Sequence, residues 1–63
     1  MGSKAAAKCP YCDFKSDDRE EQIRHLIEKH LFKVKVALTG FSMNFNDDNY
    51  RFAANEIASK QFK

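Results

Sequence analysis

Cys9-Pro10-Tyr11-Cys12 and His25-Leu26-Ile27-Glu28-Lys29-His30 are the two stretches that decide how this 63-residue chain folds. Two residues separate the thiols, twelve residues follow, and four residues separate the imidazoles. The chain contains no other cysteine or histidine. A C-x2-C turn followed by two histidines supplies two sulfur and two nitrogen ligands, which is a set that tetrahedral zinc prefers. The spacing therefore predicts one structural Zn²⁺, with four ligands: Cys9, Cys12, His25 and His30.

This ligand pattern resembles the Cys2His2 (C2H2) zinc-finger family over roughly Lys8 to Leu31, about half of the chain. The resemblance implies a ββα finger, and a chain with one finger is more similar to the small zinc-finger proteins of archaea and their viruses than to tandem arrays. Family members usually carry an apolar residue three positions before the first histidine, where this chain has Gln22. We therefore expect a finger core that is rotated or opened relative to the family.

The segment between the cysteines and the second histidine has the features of a short knuckle followed by a helix. Ser16, Asp17 and Asp18 are good N-cap residues, and Asp17 with Glu20 has the spacing of a capping box. Apolar residues then recur at helical spacing, which predicts a helix from about Asp18 to Leu31. On an ideal helix His25 and His30 would lie about 140° apart, so the last turn must distort if both bind one ion.

Beyond the finger, apolar and polar residues alternate on both sides of Thr39-Gly40. Alternation at period two around a turn that contains glycine predicts a β-hairpin, with the phenylalanines in the core. The alternating apolar residues are Val34, Val36, Leu38, Phe41, Met43 and Phe45. Helical spacing from Tyr50 onwards then predicts a second helix from about Asp48 to Lys60.

The predicted fold class is a small, zinc-stabilised α+β domain: a ββα finger followed by a β-hairpin and a C-terminal helix. Residues 1–7 form a flexible basic arm or a tag remnant, residues 8–31 form the finger, and residues 32–63 form the hairpin and helix that pack on it. A core of this size supplies only ~3–5 kcal/mol, whereas structural zinc contributes an apparent ~10–16 kcal/mol in finger peptides. The metal is therefore expected to decide whether the first half folds.

DNA is the expected partner, but contacts with phosphates are favoured over base recognition. The family's base-contacting positions correspond here to Asp18, Glu20, Glu21 and Arg24, and carboxylates repel the phosphate backbone. Seven basic residues could bind phosphates weakly and in a salt-dependent way: Lys8, Lys15, Arg19, Arg24, Lys29, Lys33 and Lys35. These residues predict a DNA-binding transcriptional regulator or accessory factor of limited sequence specificity.

Other functions were weighed against this one. A protein-interaction module, with a protein partner or a homodimer, stays open, since hairpin residues could form a docking surface. Cys-Pro-Tyr-Cys resembles the glutaredoxin motif, but that motif needs a βαβ unit. The two histidines lie five positions apart rather than four as in zinc proteases, and four protein ligands leave no open position, so no enzyme is expected.

Cysteines at metal spacing, with no signal peptide or membrane span, favour an intracellular protein (cytoplasm, or nucleus if eukaryotic).

Overall fold

The computed structural model describes residues 6–63 and shows two short strands followed by three helices. The elements are β1 (Ala7–Lys8), β2 (Lys15–Ser16), α1 (Arg19–Lys29), α2 (Leu31–Phe41) and α3 (Asp47–Gln61). The two strands pair antiparallel, with Ala7 opposite Ser16 and Lys8 opposite Lys15. Of the predicted N-terminal arm, residues 1–5 lie outside the described residues, and Ala7 belongs to β1.

The C-terminal end of the described chain adds to this small sheet. Lys8 N–H donates to the Lys63 carbonyl at 2.7 Å, and Lys63 N–H donates to the Lys8 carbonyl at 3.3 Å. The neighbouring Phe62 is buried in the core. Lys63 therefore lies beside β1, and backbone hydrogen bonds join the segment that follows α3 to this strand.

Helix α1 begins with a network of side-chain caps. Asp18 is the N-cap, and its carboxylate accepts from Glu20 N–H at 3.1 Å. Ser16 Oγ accepts from Asp18 N–H at 3.0 Å and donates to the Glu21 carboxylate at 2.7 Å. The predicted Asp17–Glu20 capping box is replaced by this arrangement, because the Glu20 carboxylate instead accepts from Arg51 of α3.

The predicted β-hairpin over residues 34–46 is wrong, because most of this segment is helix α2. In α2, Val34 and Leu38 are one turn apart and are fully buried, whereas Val36 is 52% exposed. A short apolar run fits strand and helix periods almost equally well, and packing decides between them. Here the i, i+4 pair packs with α1 and α3 in one core, and the helix satisfies its own backbone groups.

Thr39 and Gly40, which were predicted to form a hairpin turn, instead lie in the last turn of α2. Ser42 adopts the left-handed conformation with φ 59°, and its N–H donates to the Thr39 carbonyl at 3.1 Å. Met43 N–H donates to the Leu38 carbonyl at 3.1 Å. This pair of bonds is a Schellman motif, which usually places glycine where Ser42 stands. Gly40 is therefore an interior helical residue, two positions before the left-handed residue.

The prediction of a C-terminal helix from about Asp48 to Lys60 is confirmed by α3. Asn46 caps α3 by accepting from Asn49 N–H at 2.9 Å. The small residues Ala53, Ala54 and Ala58 let α3 lie close to the other two helices. All three helices and the knuckle contribute to one core: Cys9, Ile23, Leu26, Val34, Leu38, Ala53, Ala54, Ile57, Ala58 and Phe62. Within residues 6–63, no helix has the length and apolar character needed to cross a membrane.

Candidate metal site

The four predicted ligands converge at one end of α1. Cys9 and Cys12 lie in the loop between β1 and β2, His25 lies on α1, and His30 lies between α1 and α2. The ligand atoms of these side chains all lie within 4.8 Å of one another. This geometry could hold one metal ion. Cys9 is buried, Cys12 is exposed, and both histidines are half-buried.

The distances around Cys12 fit a tetrahedral ion. Its Sγ lies 3.2 Å from His25 Nε2 and 3.3 Å from His30 Nε2. With Zn–S near 2.3 Å and Zn–N near 2.0–2.1 Å, tetrahedral geometry puts sulfur and nitrogen about 3.5 Å apart. The spacings in the structure are a few tenths of an ångström shorter. Small adjustments of the side chains would therefore fit Cys12 and both histidines around one tetrahedral metal ion.

His30 reaches this cluster because the helix breaks at that residue. His30 is both the C-cap of α1 and the N-cap of α2, with φ −133° and ψ 40°. Its N–H still donates to the Leu26 carbonyl at 2.9 Å, and its carbonyl accepts from Val34 N–H at 3.2 Å. The predicted distortion is therefore a one-residue break between two helices, and it brings the second imidazole close to the first.

Aromatic side chains flank both imidazoles. The His25 ring stacks on Phe14 with centroids 3.9 Å apart, and the His30 ring lies 5.3 Å from the Tyr11 ring. Both aromatic residues belong to the loop that carries the cysteines. Because Cys9 N–H also donates to the Phe14 carbonyl at 2.7 Å, the loop positions the thiols and one imidazole together.

Without a metal ion, the surroundings shift the pKa values of Cys9 and His25 in opposite directions. Burial is the main cause that raises the pKa of the Cys9 thiol, and the adjacent Cys12 adds to this effect. Burial also lowers the pKa of His25, and the positive charges of His30 and Lys29 lower it further. The lowered pKa of His25 thus favours the neutral imidazole that binds a metal. The raised pKa of Cys9 favours the thiol, which must lose its proton when a metal binds.

Gln22, the departure from the family pattern, is only 5% exposed. Its Nε2 donates to the Ser16 carbonyl at 2.6 Å. The side chain therefore ties α1 to β2 by a buried hydrogen bond at the position where the finger family packs an apolar residue.

The basic residues predicted to contact nucleic acid are distributed over four elements. Lys8 lies on β1, 3.6 Å from the Asp13 carboxylate, and Arg19 of α1 donates to Asn55 at 3.2 Å. The others are exposed or half-buried and lie on β2, α1 and α2: Lys15, Arg24, Lys29, Lys33 and Lys35. The seven basic residues therefore come from four elements rather than from a single helix.

The acidic residues at the family's base-contacting positions make contacts within the chain. Asp18 caps α1, Glu20 binds Arg51 with a 2.7 Å contact, and Glu21 accepts from Ser16. Arg51 is also the main cause that lowers the pKa of the Glu20 carboxyl. These carboxylates thus stabilise the start of α1 and its contact with α3.

Exposed aromatic rings are the feature that the sequence interpretation missed. Phe41 and Phe45, expected in the core, are about half exposed, and Phe32 is 73% exposed. Phe41 packs edge-on against Phe52 with centroids 5.6 Å apart. The sequence did contain a signal for this exposure, because Phe32 and Val36 are one helical turn apart. On a helix both residues lie on the side opposite Val34.

Comparison of the chain with models of protein families, with curated proteins and with solved structures finds no match. The ligand cluster therefore has to be interpreted from its own geometry and chemistry.

Proposed function

We propose that Cys9, Cys12, His25 and His30 bind one structural Zn²⁺. The observation that carries this proposal is the approach of two sulfur and two nitrogen atoms to within 4.8 Å of one another. Four protein ligands fill a tetrahedral coordination sphere and leave no position for a reactive water. The bound metal would cross-link the knuckle, α1 and the start of α2, and we propose no catalytic role for it.

Metal removal tests this assignment. Because zinc contributes an apparent ~10–16 kcal/mol in finger peptides, stripping the metal at neutral pH should unfold much of the domain. The measurements are far-UV circular dichroism during zinc titration and the absorption of a Co²⁺-substituted sample, which reports tetrahedral thiolate ligation. Cys12→Ser should abolish the cobalt spectrum, and the neighbouring Asp13→Asn is the matched control. A folded spectrum that survives a strong chelator would contradict the proposal.

We also propose that the zinc-stabilised domain binds nucleic acid through phosphate contacts, as a transcriptional regulator or accessory factor with limited base preference. The support is the charge of residues 31–46, which include Lys33 and Lys35 and no carboxylate. No salt bridge within residues 6–63 engages these two lysines. The α1 face, by contrast, combines Arg24 and Lys29 with Glu21 and Glu28 around one surface groove. The proposed surface is therefore α2 rather than the finger helix.

Salt dependence tests this second proposal. Binding through a few lysines should be weak, with a dissociation constant on the order of 10⁻⁴–10⁻⁶ M, and should weaken further between ~50 and ~200 mM salt. Charge removal by Lys33→Gln with Lys35→Gln should weaken binding and reduce its salt dependence. Lys60→Gln is the control, because Lys60 pairs with Glu56 on α3 at 3.2 Å. Absence of binding at ~50 mM salt would contradict the proposal.

The alternative is a protein-interaction module that uses the same side of the molecule. The observation in its favour is the exposure of two apolar side chains on α2, Phe32 and Val36. Exposed apolar patches commonly mark protein contacts. A domain that binds no nucleic acid at low salt, and that self-associates or captures a protein through Phe32, would favour this alternative.

A further inference from the structure

The outer face of α2 combines the most exposed aromatic ring within residues 6–63 with two lysines that no salt bridge in that range engages. Phe32 is 73% exposed, and Val36 follows one turn later. At about 100° per residue, Lys33 and Lys35 lie on either side of the line from Phe32 to Val36. A ligand that crosses α2 would therefore meet a lysine, the apolar pair, and the second lysine in turn.

Each of the two lysines also lies next to a second aromatic ring. Lys33 Nζ lies 5.4 Å from the ring centroid of Tyr11, in the cysteine loop. Lys35 Nζ lies 5.9 Å from the ring centroid of Phe45, in the segment between α2 and α3. An anionic group bound at either ammonium would thus have an aromatic surface within reach.

We propose that this face of α2 binds single-stranded nucleic acid, with a base stacked on Phe32 and phosphates at Lys33 and Lys35. The inference rests on the proposed nucleic-acid function and names the form of its ligand. Proteins that bind single strands without strong sequence preference combine lysine and arginine contacts to the backbone with aromatic rings on which bases stack. Ammonium groups beside aromatic rings, on a helix that contains no carboxylate, provide both parts.

The chemistry of the face favours a single strand over its competitors. In a duplex the base faces are already stacked on one another, so an exposed phenylalanine gains nothing from them. An acidic peptide could pair with the lysines, but its carboxylates carry no ring to stack on the aromatic side chains. A second copy would bring the same lysines together across a twofold interface, and like charges there are unfavourable.

Fluorescence anisotropy with the zinc-loaded protein tests the proposal. The probes are oligothymidylate and oligouridylate of about 12 nucleotides, within the ~4–16-nucleotide range of single-strand sites, and a duplex of the same length. We expect both single strands to bind more tightly than the duplex. A difference between the DNA and RNA probes would report a contact with the 2′-hydroxyl.

Phe32→Ala is the decisive variant, because Phe32 contributes little to the core. Loss of one stacked base should weaken single-strand binding by about 5- to 150-fold and leave duplex binding unchanged. Phe52→Ala is the control, since Phe52 is a phenylalanine that is 45% exposed and lies on α3 rather than on the proposed face. Its effect on binding should stay within about twofold, since no stacked base is lost. The circular dichroism and cobalt absorption of both variants should match those of the parent protein.

The possible failures are distinguishable. Duplex binding equal to single-strand binding, with no effect of Phe32→Ala, would overturn this inference and leave the phosphate-binding function intact. Absence of binding to every probe at ~50 mM salt would overturn both. Equally tight binding of a polyglutamate peptide, or a dimer that Phe32→Ala dissociates, would assign the face to another partner and overturn the inference.

Discussion

The imidazole of His25 lies face to face with the ring of Phe14, with centroids 3.9 Å apart and planes 8° from parallel. Phe14 also accepts the Cys9 N–H through its carbonyl at 2.7 Å. One residue therefore closes the cysteine loop with its backbone and holds a histidine with its side chain. This contact couples the positions of ligands that are sixteen residues apart in the chain.

Replacing Phe14 by leucine should weaken metal binding while the chain still binds the ion. Aromatic stacking contributes about 0.5–1.5 kcal/mol beyond area burial, so the expected loss of affinity is about 2- to 13-fold. The measurement is a competition titration against a zinc chelator of known affinity. Phe52→Leu, in the Phe41–Phe52 pair away from the ligands, should leave the affinity unchanged. Unchanged affinity in Phe14→Leu would show that the stack does not position His25.

Metal affinity should fall as the pH drops below neutrality. Because the pKa of His25 is lowered, the folded chain favours the neutral imidazole. A fall in pH below the ordinary imidazole pKa of about 6.5 therefore destabilises the fold, and it also weakens metal binding because protons compete for the ring. The raised pKa of Cys9 means that binding at neutral pH releases a thiol proton. Zinc titrations between about pH 5.5 and 8 should show affinity that rises with pH throughout this range. Affinity independent of pH would contradict ligation by these groups.

Gly40→Ala should stabilise the protein. Gly40 lies within α2 without a positive φ, and an added Cβ would meet no heavy atom within 4 Å. Alanine in a helix is favoured over glycine by about 0.5–1 kcal/mol, which corresponds to a rise in melting temperature of about 2–8 °C for a domain of this size. Thermal unfolding at a fixed zinc concentration measures this rise in melting temperature. A hairpin with Gly40 in its turn would instead be destabilised by alanine.

Val34→Ala and Val36→Ala form a second pair that separates a helix from a hairpin. In a strand both valines would share one face, whereas in α2 Val34 is fully buried and Val36 is 52% exposed. We expect Val34→Ala to cost about 1.5–3 kcal/mol and Val36→Ala to stay within about 0.5 kcal/mol. Chemical denaturation of the zinc-loaded proteins measures both. Equal losses in the two variants would argue against the helix.

Part of the architecture could be predicted because the signals are local. Asn46 accepts from the backbone N–H of Asn49 three residues away, so the start of α3 is visible in the sequence. The family pattern of ligand spacing likewise predicted which side chains would meet. The Glu20–Arg51 contact was not predictable, because it joins residues of α1 and α3 that only the packing brings together.

The sequence alone determined which four side chains form the candidate metal site and where α1 and α3 lie, because ligand spacing, capping residues and helical periodicity are local signals in the sequence. Tertiary structure decided the state of residues 31–41. Alternating valines and an adjacent glycine satisfy a strand pattern, but burial of Val34 and Leu38 in the common core stabilises a helix instead. Tertiary structure also decided that the chain breaks at His30, where the break brings the second imidazole into the Cys/His cluster and lets Val34 and Leu38 of α2 join the core.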